Sequence, residues 1–138
     1  MTILSSFSDI ICVEEHFLLD SRDKKHSNTN LLKTHFGSSY DMFINPAFKE
    51  NNQVCKGRGK GGLATIWRAE LSKYVSQVKC KNFRLQGTKF SFPNQNLLVI
   101  NCYFPCDPRS DNGDYTELLN TLSNLSMLVE QGPHTFSL

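Results

Sequence analysis

Between Tyr74 and Tyr103 four short strand-like runs follow one another with almost nothing between them: Tyr74–Cys80, Phe83–Gln86, Lys89–Phe92 and Leu97–Tyr103. Gly87 and the group Pro93-Asn94-Gln95-Asn96 are turn formers that separate the later runs. A parallel pair needs a crossover of about a dozen residues or more, so strands this close pair antiparallel with their neighbours. The segment predicts a meander. Downstream, Asp114 and Glu117 have the spacing of an N-terminal cap, and Tyr115, Leu118, Leu119, Leu122, Leu125 and Val129 share one helical face. Gly132-Pro133 ends that helix. The stripe is the core face of a helix packed on a sheet.

Two runs are apolar at consecutive positions, Ile10-Ile11-Cys12-Val13 and Leu97-Leu98-Val99-Ile100, and this suits central strands buried on both faces. Each stops on polar residues: Glu14 and Glu15 after the first, Asn101, Tyr103 and Asp107 after the second. Ligands of open α/β sheets bind beyond the carboxyl ends of strands. Glu14 and Glu15 are therefore either solvated turn residues or the place for a metal or a catalytic acid. Before the first run, Ile3, Leu4 and Phe7 have the spacing of the last turns of a helix, as though the chain began in mid-element. After it come a charged segment, 20–27, a weakly amphipathic helix over 28–36, and a strand over Tyr40–Ile44.

Residues 45–60 are polar and loop-like. Gly57-Arg58-Gly59-Lys60-Gly61-Gly62 has the letters of a dinucleotide fingerprint, but a loop precedes it and the strand Leu63–Trp67 follows, the reverse of the required order. No Ser or Thr follows Lys60, so a Walker loop also fails. The residues fit a tight, glycine-dependent entry into a strand.

Composition closes off other classes. The 138 residues suit one domain with a moderate core, and 39% hydrophobic with 11% aromatic content argues against disorder. A formal charge of +2 is too small for nucleic-acid binding by bulk charge, so any polyanion site is local. The five cysteines, at 12, 55, 80, 102 and 106, are odd in number and lack zinc-finger spacing, which suggests reduced thiols used as small core residues. No apolar stretch reaches the roughly 18 residues that span a bilayer and no secretory signal is present, so an intracellular protein is expected.

The stretches Asp9-Ile-Ile-Cys-Val-Glu-Glu-His-Phe-Leu18, Gly59-Lys-Gly-Gly-Leu-Ala-Thr-Ile-Trp67 and Leu98-Val-Ile-Asn-Cys-Tyr-Phe-Pro-Cys-Asp107 together resemble the endonuclease/exonuclease/phosphatase family. They are most similar to the endonuclease domain of non-LTR retrotransposons. The resemblance runs from Asp9 to about Glu130. It implies an α/β fold, part of a four-layer α/β sandwich of DNase I-like type, represented by one mixed, mostly antiparallel sheet with flanking helices. It also implies Mg²⁺-dependent nicking of DNA, with a reverse-transcriptase domain as partner in the parent element. Glu15 takes the place of the family's metal-binding glutamate, and Glu14 stands where glutamine is usual. Tyr103 matches the tyrosine whose phenol hydrogen-bonds the scissile phosphate. Arg58 and Lys60 are either solvated or sequence-independent contacts to DNA phosphates.

The departures bear on activity. The family's asparagine strand upstream of the glutamate has no counterpart in the eight residues before Asp9. In place of Gly-Asp-Phe-Asn after the helix stands Gln131-Gly-Pro-His-Thr-Phe-Ser-Leu138, and no Ser-Asp-His segment follows. The expectation is that residues 1–130 form the N-terminal half of the domain, that 131–138 are a divergent tail, and that the polypeptide has little or no activity. A non-catalytic retroelement remnant and a host member of the family, such as a repair endonuclease or a phosphoesterase, are the alternatives.

Overall fold

The computed structural model describes residues 8–19, 30–47, 61–104 and 114–130. Its elements are β1 (Ile10–Glu14), α1 (Asn30–Phe36), β2 (Tyr40–Asn45), β3 (Leu63–Arg68), β4 (Val75–Val78), β5 (Leu85–Ser91), β6 (Asn96–Cys102) and α2 (Asp114–Glu130). One 3₁₀ turn, Gly37–Ser39, follows α1 and another, Ala69–Tyr74, follows β3. Residues 20–29, the Arg58 and Lys60 loop, and the tail 131–138 lie outside the described residues.

The strands form two three-stranded sheets, β1-β3-β2 and β4-β5-β6, antiparallel throughout. The mixed α/β class holds. The expected single mixed sheet is replaced by two, because among the described residues β4, β5 and β6 pair only with one another while β3 takes β1 and β2 on its two edges. The meander pairs in sequence order, as its short connections require.

Central positions fall to β3 and β5. Leu63 through Trp67 are all buried, and so are Leu85 through Thr88 and Phe90. The two runs expected in the centre, β1 and β6, instead pair on one side only among the described residues, and Cys12, Glu14 and Leu97 are exposed. Consecutive apolar residues prescribe two apolar faces, which an edge strand between layers also needs. They carry no information about how many neighbours the strand has.

Ile11 and Val13 of β1 pack with Met42 and Ile44 of β2 on the core of Tyr40, Ala64 and Ile66, under Leu32 and Phe36 of α1. The opposite face meets the second sheet, where Trp67 lies against Phe90 with ring centroids 6.2 Å apart. This inner layer is unusually polar. Thr65 donates to Gln86 Oε1 at 2.7 Å, and Gln86 Nε2 donates to Phe43 O at 3.1 Å and Asn45 Oδ1 at 3.2 Å.

Gly87 is a correction of another kind. It does not turn the chain, and β5 runs straight through it, paired with Val78 and Ile100. A Cβ at Gly87 would stand 2.9 Å from Val78 Cβ, so glycine is there to let β4 approach. The true turn is at Pro93-Asn94, where Phe92 N donates to Gln95 O at 2.9 Å.

In α2, Leu118 and Leu125 are buried, while Leu119 is 43% exposed and lies off the core stripe. No helix among the described residues is long and apolar enough to cross a membrane. Of the cysteines, Cys12 is exposed and Cys80 and Cys102 are half-buried, so none of these three is the fully buried residue expected.

Candidate functional site

Asn101 sets the geometry of the site. It is 2% exposed, and its Nδ2 donates to Val13 O at 3.1 Å and Ala64 O at 3.0 Å, tying β6 across the layer gap to β1 and β3. Glu15 lies two residues past Val13, and Tyr103 lies two residues past Asn101. The tie therefore brings the strand ends that carry these two residues to one end of the sandwich.

A second set of bonds joins the same ends. His16 Nε2 donates to Asn45 O at 3.1 Å, Asn45 Nδ2 donates to Leu85 O at 3.2 Å, and Tyr103 N donates to Arg84 O at 3.0 Å. Thus the loop after β1 and the segment after β6 both hang on Arg84-Leu85.

The backbone at the acidic end is strained. Glu15 has φ 52° and Phe17 has φ 59°, left-handed values that cost non-glycine residues about 1–3 kcal/mol each. Three contacts hold the turn: Phe17 N to Gly61 O at 3.0 Å, Ala47 N to Leu18 O at 2.8 Å, and Leu18 N to His16 Nδ1 at 3.0 Å. With Nδ1 accepting, His16 is the neutral tautomer protonated on Nε2. Its imidazole fills the space over Gly62, where an added Cβ would meet ring atoms at 2.4 to 2.9 Å. Gly61 and Gly62 have φ of 71° and 98°, so the glycine-dependent entry into β3 is realised at these two residues. His16 is thereby a clamp between the loop after β1, β2 and the entry to β3.

Glu14 is exposed on the inner side of β1 and acts on two thiols. Burial pushes the Cys12 thiol up, the Thr65 hydrogen bond opposes this, and the Glu14 charge adds to it. Burial also raises Cys102, again with a contribution from Glu14. One carboxylate thus acts at the ends of both β1 and β6. Both shifts favour the protonated thiol over the thiolate.

Mg²⁺ can be tested against these donors. No group of three His, Cys, Asp or Glu among the described residues is placed to hold a metal ion. Two adjacent carboxylates, one on a strained turn, do not make an all-protein cage. They suit a hydrated hard cation bound through one or two carboxylates and shared with a phosphate.

Nothing in the sequence alone assigns Arg84, Asn101 or His16 a part in the site. Asn101 is visible in the sequence only as part of a polar strand end, and Arg84 only as one of three cations, with Lys79 and Lys81, around Phe83. At the far side of the first sheet, a cavity of about 540 Å³ is lined by Lys33, Asp41, Trp67 and Ser72, among others. The Ser72 hydroxyl accepts from Trp67 Nε1 at 2.9 Å and donates to Asp41, so it is committed on both sides. No protein-family model, curated protein or solved structure matches the chain.

Proposed function

We propose that this chain carries the metal-holding and phosphate-holding part of an Mg²⁺-dependent phosphodiesterase site, that of a DNA-nicking endonuclease of the retrotransposon kind. The fold it would belong to is the DNase I-like α/β sandwich. Two facing sheets with α1 on an outer face are consistent with that fold. The observation that carries the reading is the Asn101 tie, which sets the end of β1 beside the end of β6 and so puts Glu15 and Tyr103 at one edge.

In this reading the Glu15 carboxylate supplies an oxygen ligand to the cation, with Glu14 adding negative charge beside it. Bound Mg²⁺ would polarise the phosphoryl oxygen and stabilise the leaving oxygen. Tyr103 donates its phenol proton in a hydrogen bond to a non-bridging phosphate oxygen, a contact that strengthens as charge develops there. The 138 residues contain no counterpart of the family's water-activating aspartate or its histidine. Tested alone, the polypeptide binds cation and phosphodiester and cleaves at close to background.

Calorimetric titration of Mg²⁺ into the chain, with a short DNA oligonucleotide present, tests the metal side. Binding that disappears in Glu15→Gln is expected; equal binding by the native chain and the variant overturns the assignment. Supercoiled-plasmid nicking tests the catalytic side, where vigorous Glu15-dependent nicking would show that the chain is complete enough to turn over.

A further inference from the structure

The turn before β5 carries a cation that no carboxylate among the described residues neutralises. Arg84 is fixed by its backbone: its N–H donates to Asn82 Oδ1 at 2.9 Å, Leu85 N donates to Asn82 O at 3.1 Å, and its carbonyl accepts from Tyr103 N at 3.0 Å. From this anchored position the guanidinium lies over two rings, with Cζ 5.1 Å from the Phe83 centroid and 5.2 Å from that of Tyr103. Its Nε is buried without a hydrogen-bond partner. A buried N–H donor of this kind is costly unless an acceptor is supplied, and the planar fork of the half-buried guanidinium matches the oxygens of a phosphate.

The surroundings narrow the class of ligand. Phe83 is 44% exposed, an aromatic ring partly open to solvent beside the cation. Lys79 and Lys81 are exposed on the same turn. Cations that track a phosphate backbone, interleaved with an aromatic on which a base can stack, are the composition that holds single-stranded nucleic acid. A small phosphate ester has no use for Phe83.

We infer that Arg84 and Phe83 are the strand-gripping side of the Tyr103 site. Arg84 takes a backbone phosphate oxygen, Phe83 stacks an unpaired base, and the ligand is a nucleic-acid strand with an opened or single-stranded segment. The inference rests on Tyr103 facing phosphate but needs neither a metal nor Glu15.

The test is fluorescence anisotropy of a short fluorescein-labelled oligothymidylate with the full chain in EDTA at low salt. Arg84→Gln weakens binding about tenfold and lowers the slope of log affinity against log salt by about 0.7, the share of one single-strand phosphate contact. Phe83→Leu also weakens it about tenfold, and the charge-matched control Lys33→Gln, on α1, less than about twofold. Arg84→Lys keeps charge and stem, recovers most of the salt slope, and carries the test if Arg84→Gln unfolds. No binding by the native chain, or binding by the Arg84 and Phe83 variants within twofold of native, overturns the inference. Because Mg²⁺ is absent, that result leaves the Glu15 assignment standing, and loss of Mg²⁺ binding leaves this one standing.

Discussion

At the scale of the residue, the region after β1 is decided by a glycine and the imidazole packed over its backbone. Gly62 has φ 98° and lies under the His16 ring. Gly62→Ala therefore adds a left-handed penalty of about 1–3 kcal/mol and a clash that displaces the imidazole. Urea unfolding should show a loss of at least that size, with the Glu15 turn loosened. His16 adds a pH dependence of known sign. Burial holds its pKa below the ordinary 6.5, against the hydrogen bond to Asn45 O, which raises it. The unfolded chain then binds the proton more readily than the folded one, so stability is full above pH 6.5 and is lost as pH falls through 6.5 towards the lower folded value. Measured unfolding free energy should decline from about pH 7.5 to about pH 5, and His16→Gln should flatten that part of the curve.

Elements were legible in the sequence where spacing does the deciding. The meander, α2 and the strands around Tyr40 and Leu63 stand close to where periodicity and turn residues put them, because each depends on neighbours in the chain. The positions of strands within sheets were not legible. β1 and β6 have the apolar content of central strands, yet among the described residues each pairs on one side only: β1 with β3, which is remote in sequence, and β6 with β5, its hairpin neighbour. Gly87 departs from the turn its sequence context suggests for a related reason, since a glycine needed for close approach to Val78 looks the same as one needed for a turn. The Asn101 tie was equally hidden, because nothing local distinguishes an asparagine that bridges layers from one that ends a strand in water. Asn101→Leu leaves Val13 O and Ala64 O without their side-chain donor, at a cost of about 1–3 kcal/mol for each buried group left unpaired. Denaturant unfolding measures the cost, and oligonucleotide affinity should fall with it as the two strand ends separate. A variant as stable as the native chain would mean that the tie does not hold β6 to β1.

For the molecule as a whole, the unequal distribution of burial predicts an unequal distribution of stability. β3 and β5 have both edges paired and nearly every side chain inside, whereas α1 has seven residues and buries none of them fully. The layer between the sheets depends on Thr65, Gln86 and Asn101, whose hydrogen bonds are lost together if the sheets part. The two central strands should therefore open only with the whole fold, while α1 opens locally. Native-state hydrogen exchange tests this: β3 and β5 amides exchange at the free energy of global unfolding, and α1 amides exchange at a small fraction of it. The loop after β1 should lie between these limits, since its strained turn is pinned by His16 and by bonds to Gly61 and Ala47. If β3 exchanged as fast as α1, the sandwich would not be one cooperative unit, and Glu15 and Tyr103 would lose the common frame that the proposed phosphate site requires.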